Sequence, residues 1–308
     1  MNLQKNSRFI VVFRLFQRTF NKWLEDKAPQ LGAALAYYTV FSLAPLILIL
    51  LAIVGVIFRH DPANAWSKIT QQMSYFLDRN AIEVVKQIAQ QVAHPTKNIF
   101  ASVIGIALAL FGASGVFVQL QDALNTIWGV KAKPGAGIWE FIRARFLSFG
   151  MVAGVCFLLL VSLTVESALQ GFFHNLQAMF PAGGFVALAM YFFFDFVIVA
   201  TLFAMIFRFL PDAKIRWRDV SIGAVLTAIF FLIGKWALGL YLGSGAAGSA
   251  YGAASSLITL LLWVYYSAQI LLFGAEFTQV YTNQFGAHVK PEKYAVRVEH
   301  KEIEKPRS

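Results

Sequence analysis

The sequence predicts an all-α membrane protein: a polytopic bundle of six transmembrane helices with amphipathic interfacial and outer-face helices. Three observations carry this. The chain of 308 residues is 58% hydrophobic and 14% charged, with a mean hydropathy of +0.62, whereas a soluble domain is roughly 25% charged. Apolar runs of about 20 residues, the length that crosses a bilayer, recur along it. The basic residues alternate from side to side as the runs are crossed. Short alternating segments of the kind that build a membrane barrel are absent from the pattern.

The elements follow in order. Residues 8 to 27 have helical period, with Phe9, Val12, Phe13, Phe16, Phe20, Trp23 and Leu24 on one stripe and Arg8, Arg14, Arg18 and Lys22 largely off it. That division predicts an interfacial helix, apolar face in lipid and basic face toward anionic headgroups. The first span is read at 35 to 58, entered through residues 26 to 46. Gly32, Ala33, Ala34 and Ala36 permit close helix approach, Tyr37, Tyr38, Thr39 and Ser42 bring hydroxyls, and Pro45 removes a backbone donor and marks a hinge. Residues 62 to 94 read as two amphipathic helices capping the outer side.

The second span, 99 to 121, carries Gly105, Ala109 and Ala113 at four-residue spacing and runs on into Gln119, Gln121, Asp122, Asn125 and Trp128. A basic loop follows, with an interfacial helical turn at 139 to 146. The third span is read at 146 to 168, with Gly150 and Gly154. The fourth, 185 to 207, contains Asp195, and the fifth, 220 to 242, contains Lys235. A Gly-rich link at 243 to 252 is flexible by composition. The sixth span, 254 to 280, carries Trp263, Tyr265, Tyr266, Gln269 and Glu276. Residues 1 to 286 form one membrane domain on this reading. The polar tail from 287 to 308 alternates in sign and is expected to be disordered.

Orientation rests on a count. Of the 26 Lys and Arg, 20 fall on the side of the termini and 5 on the other, with Lys235 inside a span. Cytoplasmic loops collect these residues, so both termini are expected in the cytoplasm. The net charge of +10 is explained in the same way, and no folded basic module for nucleic acid is present. No cleavable signal peptide is visible at the basic start. Cys156 is the single cysteine, so an internal disulfide is excluded.

Ionisable groups at membrane depth cost roughly 2.5–3.5 kcal/mol each on insertion scales, and so need partners. Asp195 lies about 15 Å in along its span and Lys235 about 10 Å from the outer end of the next, at 1.5 Å per residue. Consecutive spans are usually neighbours, so an ion pair is expected, serving either as a fixed link or as a contact on a substrate path. Asp122, Asn125 and Glu276 fall near the inner ends of their spans, with Arg143, Arg145 or Arg208 as expected partners. Together with Tyr37, Tyr38 and Ser42 they read as an inner-leaflet polar cluster. No catalytic motif is present: His60, His94, His174, His288 and His300 are scattered, and neither HExxH, Walker A nor GxSxG occurs. No enzyme, metal or cofactor is expected.

The stretches Gln30 to Pro45, Leu120 to Asn125 with Ile127 and Trp128, Tyr251 with Gly252, Leu262 to Ser267 and Gly274 to Glu276 resemble the YihY/BrkB family of bacterial inner-membrane proteins. The resemblance covers about residues 20 to 282. It implies a six-span plasma-membrane protein, and members carry the labels virulence factor BrkB and ribonuclease BN. The second label does not suit a chain whose five histidines cannot cluster as nuclease ligands. A role in moving envelope lipid or lipopolysaccharide precursors is suggested for relatives. The resulting expectation is a transporter or flippase-like protein for a lipid or amphiphilic envelope component, with membrane lipids as partners. The alternative is a non-transporting scaffold that recruits envelope-assembly proteins.

Overall fold

A computed structural model describes residues 2–57, 82, 86, 99–133, 150, 183–243, 255–286 and 289–298. The expected outer-face helices, the turn at 139 to 146 and the third span lie outside these, apart from single helical residues within them. The described elements are helices α1 (Asn2–Glu25), α2 (Ala28–Ile57), α3 (Ile99–Trp128), α4 (Gly183–Phe209), α5 (Trp217–Gly243) and α6 (Ser255–Phe285). Four short strands join them: β1 (Val130–Ala132), β2 (Ala213–Lys214), β3 (Lys290–Pro291) and β4 (Ala295–Arg297).

Among the described residues three helical segments are long and apolar enough to cross a membrane: Phe192–Phe209, Trp217–Leu238 and Leu257–Phe285. Helices α2 and α3 cover the first and second expected spans, and α2 continues through Pro45. The outer surface agrees with a lipid environment. On α5 the residues Val225, Ile229, Ile233, Trp236 and Leu240 are all exposed, and their spacing of three and four places them on one face. A soluble protein rarely leaves so continuous an apolar stripe uncovered.

Helix α6 is central. It packs against α1, α2, α3 and α5, while α2 pairs with α3 and α4 with α5. The core is built from Leu35 of α2, Leu124 and Ile127 of α3, Phe203 and Phe207 of α4, Ala224 and Ala228 of α5, and Leu272 and Ala275 of α6.

The α5–α6 contact has a reciprocal construction. Thr278 of α6 lies over Gly223 of α5, and Thr227 of α5 lies over Gly274 of α6. Each helix thus presents Gly-x-x-x-Thr, and the antiparallel pairing sets each threonine into the space its partner's missing side chain leaves. The hydroxyls are not orphaned in this apolar seam. Thr227 Oγ1 donates to Gly223 O at 2.7 Å and Thr278 Oγ1 to Gly274 O at 2.6 Å, each four residues back on its own helix.

Helix α1 meets α2 at Lys27, whose φ of 53° is left-handed. Its carbonyl accepts from Gln30 N at 2.9 Å and Leu31 N at 3.2 Å, which starts α2. Pro29 sits in that first turn, where a missing N–H costs nothing. The expected stripe of α1 is divided. Phe13, Phe20 and Leu24 are exposed, but Leu15 and Thr19 are buried. Phe16 packs among Phe230, Phe273 and Phe277. The helix therefore docks on α6 along one edge and leaves its apolar face open along the other.

The tail departs from the expectation of disorder. Residues 289–298 form two antiparallel ladders. β4 pairs with β1 in the register Val130↔Arg297, and β3 pairs with β2 in the register Ala213↔Pro291. Backbone bonds extend both: Val298 N donates to Gly129 O at 2.8 Å, Lys133 N to Tyr294 O at 2.9 Å and Glu292 N to Asp212 O at 3.0 Å. Such ladders use main-chain groups, so composition does not announce them. Their apolar anchors are few, with Ala295 buried and Val289 packed against the core. Gly129, at φ 59°, closes α3 in the left-handed conformation that favours glycine and turns the chain into β1.

The seam generates a prediction. Gly223→Val forces the added side chain onto Thr278 and is expected to lower stability by about 1–3 kcal/mol, the usual cost of overpacking. Exchanging the pair, Gly223→Thr with Thr278→Gly, is expected to recover part of that loss. Thermal unfolding in detergent, run as a double-mutant cycle, checks both.

Candidate functional site

Three polar sites stand on this scaffold, at different levels. The first is where α3 ends. Asn125 Nδ2 donates to Asp212 Oδ2 at 2.9 Å, Gln121 Nε2 donates to Asp212 Oδ1 at 3.2 Å, and Asp212 N donates back to Asn125 Oδ1 at 2.8 Å. Asp212, between α4 and β2, is buried. The carboxylate spends its acceptors on two amides of α3, while its carbonyl holds Glu292 of the tail. This cluster locks three separate stretches of chain together. Asn125 is picked out by its place in the sequence but Asp212 is not, because a single acid in a Pro-Asp turn looks like an ordinary surface residue.

The second site is Asp195 with Lys235. Lys235 Nζ lies 3.4 Å from Asp195 Oδ2, and the two side chains are 20% and 21% exposed. The structure thus brings together the two residues that depth arithmetic pairs, on α5 and α4. Nearby, Tyr266 of α6 closes over Gly234, the residue before Lys235 on α5.

The third site is Glu276, on the α6 face turned to α1. It is fully buried, and neither carboxylate oxygen has a hydrogen-bond donor among the described residues. Asp26, Lys22 and Glu25 are close enough to act on it electrostatically. The Asp26 side chain is within hydrogen-bonding reach of it, a contact between two carboxyl groups that needs one of them to carry the proton. One turn beyond, α1 and α6 diverge into an open groove of about 390 Å³ lined by Arg18, Asn21, Lys22, Glu25, Gln279, Val280, Asn283 and Gln284. Within it Lys22 Nζ pairs with Glu25 Oε2 at 2.8 Å. That bond, ahead of all other influences, holds the lysine ammonium above its ordinary range.

The inner-leaflet cluster expected from sequence is not one cluster. Tyr37 and Tyr38 are exposed, packed edge-on against each other with Tyr37 over Phe41 at 4.6 Å. Ser42 is buried and donates to Thr39 O at 3.0 Å within its own helix. Asp122 is exposed, three residues from Asn125 along α3, and Glu276 faces α1 from another helix. Residues at one depth point in different directions around their helices, as Tyr37, Tyr38 and Ser42 do. Arg208, an expected partner for the acids, lies 6.0 Å from the Trp217 ring centre. Arg143 and Arg145 lie outside the described residues, as do all five histidines. Among the described residues no group of three or more His, Cys, Asp and Glu is placed to hold a metal.

Two substitutions probe these sites. Asp212→Ala removes the acceptor of two charge-assisted bonds, each worth roughly 1.5–3 kcal/mol, and is expected to lower the unfolding midpoint and to speed proteolysis of the tail. Asp195→Leu alone is expected to destabilise more than Asp195→Leu with Lys235→Leu, because the single change leaves an ammonium at membrane depth without its carboxylate. Midpoints measured in one detergent rank the variants.

Comparison with known proteins places the chain. A UPF0761 membrane protein of Pseudomonas aeruginosa (strain LESB58) is 28% identical over 266 residues, covering 83% of this chain and 59% of its own length. The UPF0761 membrane protein of Alkalilimnicola ehrlichii is 26% identical over 266 residues, covering 84% of this chain and 56% of its own. That of Tolumonas auensis is 26% identical over 281 residues, covering 89% and 87%. The chain therefore spans a little over half the length of the first two. No solved structure matches it. The family described as Virulence factor BrkB matches residues 19–299, a stretch that takes in nearly all of the residues forming the polar sites above. The chain belongs to the BrkB family of membrane proteins.

Proposed function

We propose that this protein is a six-span protein of the bacterial inner membrane that moves a lipid or amphiphilic envelope component between leaflets. In this reading both termini lie in the cytoplasm, and the strands mark the cytoplasmic end. The basic residues at that end, Lys131, Lys133, Lys214, Arg216, Lys290 and Arg297, support the orientation.

The observation that carries the transport reading is Glu276. A fully buried carboxyl group whose side-chain partner is another acid, Asp26, is costly to keep. A helix that served only to anchor has no need of an acid there. Its position beneath a polar groove at the bundle edge gives the group a use, as a contact for a passing polar headgroup. The Asp195–Lys235 pair supplies a second polar station deeper in the bundle. With no ATP-binding motif in the sequence, movement is driven by a gradient, a partner or mass action.

The scaffold reading has one observation in its favour, the close Gly–Thr seam between α5 and α6, which suits a rigid platform. Reconstitution separates the two. In liposomes holding a fluorescent lipid reporter, the protein is expected to speed exchange between leaflets. Glu276→Gln is expected to slow that exchange at least tenfold with the unfolding midpoint preserved. Folded protein that moves no reporter under any gradient leaves the scaffold reading standing alone.

A further inference from the structure

We propose that the groove between α1 and α6 binds the headgroup of an amine-bearing phospholipid, a phosphodiester joined to a primary ammonium by a short spacer. The inference rests on the reading of the chain as a lipid-handling membrane protein.

The charges of the groove select this class. Arg18 and Lys22 stand one turn apart on α1, about 6 Å along the axis at 1.5 Å per residue. Together they make a two-cation seat that fits a phosphate's oxygens. Glu25 follows three residues on, about 4.5 Å further, a distance a two-carbon spacer covers. From the other wall α6 offers the side-chain amides of Gln279, Asn283 and Gln284, which donate and accept without adding charge. Arg18 Nη1 already reaches Gln284 Oε1 at 3.4 Å, so the two walls are in register.

A purely anionic headgroup fits less well. The cations face Glu25, with Asp26 next to it in the chain, and an anion would be attracted at one end and repelled at the other. A zwitterion resolves this by exchange. Within the groove Lys22 and Glu25 neutralise each other at 2.8 Å, both well exposed, at 44% and 61%. When phosphate takes Lys22 and ammonium takes Glu25, each side chain trades one partner for another and no charge is left bare. A quaternary ammonium could not make the second trade as well, because it has no N–H to donate.

The source is a lipid. The groove's volume of about 390 Å³ lies within the roughly 300–1,000 Å³ of small-ligand sites, enough for a headgroup. Acyl chains reach an apolar surface around the helix from it: Leu24 lies three residues from Asn21 of the groove wall and is exposed together with Phe13 and Phe20, the apolar face of an interfacial helix.

The test counts lipid bound to the full chain in detergent by native mass spectrometry. Dihexanoyl phosphatidylethanolamine, phosphatidylcholine and phosphatidylglycerol are titrated, with glycerophosphoethanolamine as the headgroup alone. The ethanolamine lipid is expected to bind at least fivefold tighter than the other two, and far tighter than the headgroup alone. Arg18→Gln is expected to weaken all three lipids about tenfold, the loss of one charged hydrogen bond. Glu25→Gln is expected to weaken only the ethanolamine lipid, about tenfold. Equal or tighter binding of phosphatidylglycerol by the unaltered protein overturns the proposal, and so does a Glu25→Gln variant that binds all three as before. Binding of glycerophosphoethanolamine as tight as that of its lipid overturns the lipid source. The lipid ranking needs no variant, so a substitution that unfolds the chain leaves the proposal open to refutation by the unaltered protein. Selective binding without leaflet exchange in liposomes would sink the transport reading and leave this site intact. Exchange with no selectivity would do the reverse.

Discussion

Helix α6 can occupy the centre of the bundle only because glycine lets its neighbours close on it. Gln269 sits over Gly32 of α2, Thr278 over Gly223 and Tyr266 over Gly234 of α5, while Thr227 of α5 enters above Gly274 of α6 itself. Lipid tails are as apolar as the helices, so burial alone does not drive spans together. Close packing and internal hydrogen bonds must do it. At these four contacts a polar side chain is laid against bare backbone, and Gln269 Nε2 adds a bond across to Pro29 O of α2 at 3.5 Å. The sites on α4, α5 and α1 have fixed geometry because each is referred back to this one helix, directly or through α5.

The pattern of membrane segments was legible because it depends on length and composition. The helices α2 to α6 fall where apolar runs end, and Asp195 and Lys235 meet because consecutive spans with short connections lie side by side. The seam was only half legible. Small residues at four-residue spacing are visible in sequence, but which threonine answers which glycine depends on antiparallel register, which no local pattern records. The inner polar cluster failed for a similar reason. Depth along a helix can be counted, yet Tyr37, Tyr38 and Ser42 show that depth without rotational phase does not make neighbours. Asp212 and the tail ladders were hidden because their partners, Asn125 and Gly129, are distant in sequence, and the ladders bond through the main chain.

The polar groups of this chain follow a division of labour that the energetics of burial explain. Thr19, Thr39, Ser42, Thr227, Thr278 and Thr282 bond carbonyls of their own helices, so they add polarity without needing a partner across the bundle. Asp212 is satisfied by amides from another helix and holds loops together. Glu276 follows neither pattern. It is fully buried against another acid, Asp26, and it lies one turn from the groove that α1 and α6 form.

The tail ladders have a consequence for how the molecule is made. Strands β3 and β4 leave the ribosome after the described helices, yet they latch stretches that emerged much earlier, at Val130 and Ala213. Until then the strands that follow α3 and α4 lack their ladder partners. Only a chain translated past its last described helix can close these ladders, so the pairing distinguishes a chain translated that far from one that stopped earlier.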